Sequence, residues 1–422
     1  MDSFLPVFLF YSLFLFVAKP CCHGESREES YLLAVKKDLP TLQYVTTLSH
    51  GTPPSPTNLV LDLGGPFLWL DCASRTTPSS SSLTTPHRSI HCLTAKPSSF
   101  HSHTHHYHPC QVFPENTITG EVSTQGELVE DVISLQSSSS SSPSCQVRFT
   151  CSPTPLLKGL ARGAKGMVGL GRSRTSLTSQ IFDSFTTHRN KLTLCLSSST
   201  GFLLFGNMPY QSDETLRSLT FTPLLVTNQS QREYFININS IKINGKRSSL
   251  DASSSSEGNN YGGTQTQVSS IVPYTTMQSS IYSTFKTAFV DAAMSMNMIR
   301  VASVEPFEVC FSSKGVGGSQ VGPNVPIIEL VLQSEMVKWS IYGRNSMVQV
   351  SHEVMCLGFM DGGLNPKNPI IIGGYQLEDV ILQFDLASSM LGFSSSLLSK
   401  NTACSHFKFG SVQVQPQSST SS

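Results

Sequence analysis

Residues 59–72 read LVLDLGGPFLWLDC, and the rest of the chain is arranged around them. Leu59, Val60 and Leu61 form a short apolar run that predicts a buried strand. Asp62 follows at once, then Leu63, Gly64 and Gly65, and a second apolar run from Pro66 to Leu70 carries Trp69. A carboxylate set between two buried strands is costly unless it is paired or put to chemical use. An Asp-x-Gly step after such a strand predicts a tight turn that presents the carboxylate to a cleft. Asp62 is therefore the first candidate site residue.

The chain has 422 residues, enough for one large two-lobed protein or two to three ordinary domains. Formal net charge is zero and only 13% of residues are charged, so nothing steers it to nucleic acid or to an anionic membrane. Residues 1–23 read as a secretory signal peptide. The Phe4–Val17 run is apolar but too short to span a bilayer. No other stretch has membrane length, so the expected product is soluble and exported, with no membrane partner. Eleven cysteines fit an oxidising compartment. Without Cys21 and Cys22, nine remain and no CxxC pair is among them, which argues against a zinc ribbon or redox motif. An odd number leaves one thiol over, and Cys145, beside a serine run, is the candidate.

Strands are expected at Tyr31–Lys37 and Leu42–Leu48, with a turn at Gly51-Thr52-Pro53-Pro54 before Asp62. Residues 73–109 form an irregular excursion rich in Ser, Thr, Pro and His. Seven of the twelve histidines fall between His87 and His108. The tract 101–108 could hold a transition metal, but a biased surface insertion is the preferred reading, and no metal or other cofactor is assigned. Strands are further expected at Gly126–Leu135 and Val147–Cys151, and the glycines of Gly166–Arg172 permit a close backbone crossing. That run lacks the spacing of a phosphate-binding loop. A hairpin is expected over Thr193–Leu196 and Phe202–Phe205. In the second half, Tyr234–Ile238 and Ser240–Ile243 lead to a turn at Asn244-Gly245, and Val268–Tyr274 is a strand candidate. Ser280–Ala293 carries apolar residues at helical spacing. Val325–Leu332, Trp339–Tyr342, Met347–Val350, Val354–Phe359, Val380–Asp385 and Met390–Phe393 are strands, and 411–422 is a disordered tail. The expectation is a mainly β chain with few short helices.

The order Gly-Thr-Pro-Pro, Asp62-Leu63-Gly64, Gly166–Arg172, Phe205-Gly206, Gly262-Gly263-Thr264 and Ile371-Ile372-Gly373 resembles the plant pepsin-like aspartic protease family. Six further segments bring it nearest to the branch of basic 7S globulins, extracellular dermal glycoproteins and xylanase inhibitors. They are Lys36-Lys37-Asp38, Leu42–Thr47, Val112-Phe113-Pro114-Glu115-Asn116, Arg300–Val304 and Gln376-Leu377-Glu378-Asp379, with Gln333-Ser334-Glu335 beside them. The resemblance runs from about residue 31 to residue 407 and implies a bilobal double β-barrel, with lobes at 31–225 and 226–410.

That family works with two aspartates, one from each lobe, which share a proton and divide the acid and base roles. Each sits in Asp-Thr/Ser-Gly. Here Asp62 keeps the first position, but Leu63 carries no hydroxyl. The second aspartate aligns with Ser269, followed by Ser270 and Ile271 where Ser and Gly would be. No Asp or Glu lies between Glu257 and Asp291, and the family's flap tyrosine is missing. The resemblance also implies the pairs Cys72–Cys151, Cys92–Cys110, Cys195–Cys404 and Cys310–Cys356, leaving Cys145. Asn228-Gln229-Ser230 is the one N-glycosylation sequon. The implied function is a secreted apoplastic pseudoenzyme whose partner is a protein, a microbial cell-wall glycoside hydrolase. The alternatives are an active aspartic endopeptidase and a peptide-binding or storage globulin of the 7S type.

Overall fold

The computed structural model describes residues 30–74, 78–96, 109–137, 143–184, 190–208, 218–227, 230–248 and 263–407. The signal segment, the histidine tract, Asn228 and the C-terminal tail lie outside them.

The chain is built from strands whose ladders repeat one motif twice. In the first half, Ser55–Asp62 runs parallel to Gly166–Gly169, with Asp62 opposite Gly169. In the second, Thr264–Val268 runs parallel to Ile370–Ile372, with Val268 opposite Ile372. Each strand of the pair is buried and apolar toward its end, as parallel pairing within a packed core requires. Ser269 follows this ladder directly, its N–H donating to the Ile372 carbonyl at 3.0 Å.

The two halves are joined by hydrogen bonding as well as by packing. Lys191–Cys195 pairs antiparallel with Ile381–Asp385, so one large sheet runs from the strand bearing Asp62 into the C-terminal strands. A single apolar cluster spans both lobes: Leu61 and Leu63 belong to it, as do Tyr234 and Phe384, whose ring centroids are 4.4 Å apart. Helices are few, and Ser279–Ser295 is the longest described, packed through Ile281, Phe285 and Phe289.

Among the described residues there are four disulfides: Cys72–Cys151, Cys92–Cys110, Cys195–Cys404 and Cys310–Cys356. Cys145 stands outside them, as expected, and is buried within the strand Ser144–Cys151, where Cys145, Val147 and Phe149 alternate inward.

Three other expectations need correction. The second strand is Tyr44–His50 rather than Leu42–Leu48, because Leu42 sits at φ 60 in a turn that Asp38 ties to Thr41. Val268–Tyr274 is not a strand. Ser269 Oγ accepts the backbone N–H groups of Ile271 and Val272, which turns the chain away at once. The excursion 73–109 contains a short helix, Ile90–Ala95, capped by Ser89 and pinned by Cys92.

Candidate functional site

Asp62 ends its strand with 5% of its surface exposed. The turn after it is shaped around the carboxylate: Gly64 N–H donates to Oδ1 at 3.0 Å, and Gly65 N–H donates to the Asp62 carbonyl at 3.2 Å. A side chain on Gly65 would begin 2.9 Å from the carboxyl carbon and from Gly169 Cα, so this position takes glycine for space.

The other carboxylate oxygen is taken by a residue distant in sequence. Thr117 Oγ1 donates to Asp62 Oδ2 at 2.7 Å. Thr117 lies in the turn between Glu115–Asn116 and Glu121–Val122. Asn116, fully buried, anchors that turn by donating to the carbonyls of Leu156 and Lys158, at 2.8 and 2.9 Å, and by accepting from Ile118 N–H. Trp69 Nε1 donates to the Glu115 carbonyl at 3.1 Å. The loop over Asp62 is thus fixed at Glu115 and Asn116, where it begins.

The second lobe meets this turn through Ser270. Its hydroxyl accepts from Leu63 N–H at 3.0 Å and donates to the Leu61 carbonyl at 2.8 Å, so it clasps the backbone on both sides of Asp62. Leu63 lacks a hydroxyl to return the clasp, and its side chain is buried in the apolar cluster instead. The segment 269–271 therefore lies against 61–63, and it offers a hydroxyl, not a carboxylate. Ser269 Oγ is engaged by Ile271 and Val272 N–H, at 3.2 and 3.3 Å.

Burial pushes the Asp62 carboxyl up to about 6, with the Glu115 charge adding to it, although the hydrogen bonds from Thr117 and Gly64 pull the other way. An ordinary aspartate titrates near 3.8. Between these values the folded chain binds more protons than the unfolded chain, so the ionised group costs stability as pH rises from about 4 to 6 and above. Asp62→Asn removes that cost. The substitution should be near neutral at about pH 4 and stabilising by about 1–3 kcal/mol at about pH 7, read from chemical denaturation at the two pH values. A difference that does not depend on pH would contradict this assignment.

Among the described residues no cluster of three or more His, Cys, Asp or Glu side chains could hold a metal ion, and no helix is long and apolar enough to cross a membrane.

Residues 44–207 match the family described as Xylanase inhibitor N-terminal, and residues 233–395 match Xylanase inhibitor C-terminal. The chain belongs to the xylanase-inhibitor family. This member is 41% identical over 429 residues to a probable aspartic proteinase, GIP2, of Nicotiana benthamiana, covering 94% of this chain and 96% of that one. Its structure is similar to the crystal structure of edgp (42% identity, TM-score 0.81, covering 90% and 98% of the two chains). It is also similar to that of basic 7S globulin from soybean (30% identity, TM-score 0.77, covering 90% and 99%). An aspartic proteinase from Irpex lacteus, at 16% identity and TM-score 0.58, shares the fold alone. The family and the pepsin-like fold are those that the sequence motifs imply.

Thr117 is the site residue that sequence reading misses in this family member. The one sequence signal for it is its place after Val112–Asn116, a segment read only as a family marker. Ser270 is aligned from sequence without a role, and the structure gives it one, as the clasp between lobes.

Proposed function

We propose that this chain is a secreted, proteolytically inactive pepsin-fold protein that binds and inhibits microbial cell-wall glycoside hydrolases of the xylanase or xyloglucan-endoglucanase class. One observation supports the inactive half of the reading: the segment 269–271 that lies against Asp62 offers hydroxyls and no carboxylate, and the Ser269 hydroxyl serves the local backbone. A lone carboxylate has no partner with which to share a proton or divide acid and base roles. The binding half is supported by the match of both lobes to xylanase-inhibitor descriptions. The contacts are assigned to surface loops, where a rigid β scaffold varies without losing its fold. Export through the segment 1–23 is supported by the four disulfides. The lobes are taken as 31–225 and 226–410, and Asn228 as a glycosylation site.

Purified protein should not cleave denatured haemoglobin between about pH 3 and pH 6. Losing one member of a catalytic unit removes nearly all of its rate, because such residues do not act additively. Pepstatin-sensitive cleavage that disappears in Asp62→Asn would restore the endopeptidase reading, which the relative's designation as a probable aspartic proteinase favours. Similarity to basic 7S globulin favours the other reading, a peptide-binding or storage role. That reading takes precedence if no glycoside hydrolase is bound.

A further inference from the structure

We propose that Ile271 fills, from within the chain, an apolar subsite beside Asp62 that would otherwise receive the apolar side chain of an extended peptide. The walls of this subsite are in the first lobe. Val60, Trp69, Leu156, Ala161, Ala164 and Met167 form a buried cluster of their own, separate from the main core. Val60 is two residues before Asp62 and is paired with Met167 in the ladder. Thr117 Oγ1, which donates to the Asp62 carboxylate, is 3.9 Å from Met167 Sδ. The cluster therefore lies beside Asp62 and beneath the loop that covers it.

Five partly buried side chains pack on this cluster, Val45, Leu157 and Leu160 together with Ile118 and Ile271. Ile118 comes from the covering loop, and Ile271 comes from the other lobe. The backbone bearing Ile271 is tied down. Its N–H donates to Ser269 Oγ, and the neighbouring Ser270 clasps Leu61 and Leu63. An isoleucine is stiff at its first torsion and cannot swing clear while the backbone is held. A glycine at this position would leave an apolar hollow next to the carboxylate. Such hollows stay dry and take apolar ligands. The cleft is thus closed in two independent ways, by the missing carboxylate and by a side chain already seated where a peptide would anchor. The second closure holds whichever partner the loops bind.

The test uses the full chain, with indole and a blocked, leucine-containing hexapeptide as probes in binding titrations. The parent should bind neither at millimolar probe, and Ile271→Gly should bind both at least tenfold more tightly than the parent. Refilling the hollow from its wall, with Ala161→Phe in the Ile271→Gly background, should abolish that binding. Ser269→Asp alone should bind no better than the parent. Far-UV circular dichroism checks each fold, and Ile271→Ala replaces the glycine variant if that one does not fold. Equal binding by the parent and the truncated variant overturns the proposal, as does no binding by a folded truncated variant. A peptide bound on Ser269→Asp alone overturns it as well. None of these readouts depends on glycoside hydrolase inhibition.

Discussion

Glu378→Ala should destabilise the protein by about 3–5 kcal/mol, the scale expected when one member of a buried ion pair is removed and the other is left uncompensated. Lys37 Nζ stands 2.6 Å from Glu378 Oε1, and their side chains are only 7% and 3% exposed. Tyr44 OH donates to the same oxygen at 2.9 Å. The ammonium also lies 5.7 and 5.5 Å from the ring centroids of Tyr44 and Tyr375. Burial, and after it the Glu378 charge, hold the Tyr44 phenol well above its usual range, so it stays a donor throughout the working pH range. Glu378→Ala leaves a buried cation and a buried hydroxyl without their acceptor. A fold stable by about 5–15 kcal/mol loses a large share of its margin. The double variant Lys37→Met/Glu378→Leu should recover most of the loss, because an apolar pair of similar volume avoids the desolvation cost. Guanidinium unfolding of the three proteins checks this. A single variant within 1 kcal/mol of the parent would mean that the pair is hydrated in solution.

Removing Cys195–Cys404 as a pair of alanines should cost about 3–5 kcal/mol, and more than removing Cys92–Cys110 by about 2 kcal/mol. The first bridge spans 209 residues and the second 18, and the loop-closure entropy of the unfolded chain grows with the span. The long bridge also holds the C-terminal segment Cys404–His406 against Lys191–Cys195, where Cys404 N–H donates to Asp379 Oδ1 at 3.0 Å. Equilibrium unfolding of the two double variants under non-reducing conditions gives the ranking. The reverse order would show that native contacts around Cys92, not chain entropy, dominate.

What the sequence reveals of this fold is what depends on neighbours. The apolar runs on either side of Asp62-Leu63-Gly64 identify a buried turn because burial and spacing are local properties, and the structure has that turn. The strand expected at Val268–Tyr274 fails for a local reason too: a serine hydroxyl that captures two backbone N–H groups overrides the β-propensity of Ile271 and Val272. The helix Ile90–Ala95 is hidden in a segment whose composition reads as loop, and it depends on a cap and a disulfide more than on periodicity. Contacts across the fold are another matter. Lys36-Lys37-Asp38 and Gln376–Asp379 read as two separate family markers, yet Lys37 and Glu378 are halves of one ion pair, 341 residues apart. Thr117 meets Asp62 across 55 residues, and Ser270 clasps Leu61 and Leu63 across more than 200. No periodicity or motif encodes such pairs. Folding of the first lobe joins Thr117 to Asp62, and only the closing of the two lobes joins the other two.

The central claim is that the loops of an inactive pepsin fold carry the binding. Its most direct test is to titrate parent protein and Asp62→Asn against a panel of fungal xylanases and xyloglucan-cleaving endoglucanases, following hydrolysis. Inhibition of at least one enzyme is expected at micromolar protein or below, with the same strength for parent and variant. Absence of inhibition across the panel would contradict it, and so would inhibition by the parent that Asp62→Asn abolishes while its fold persists.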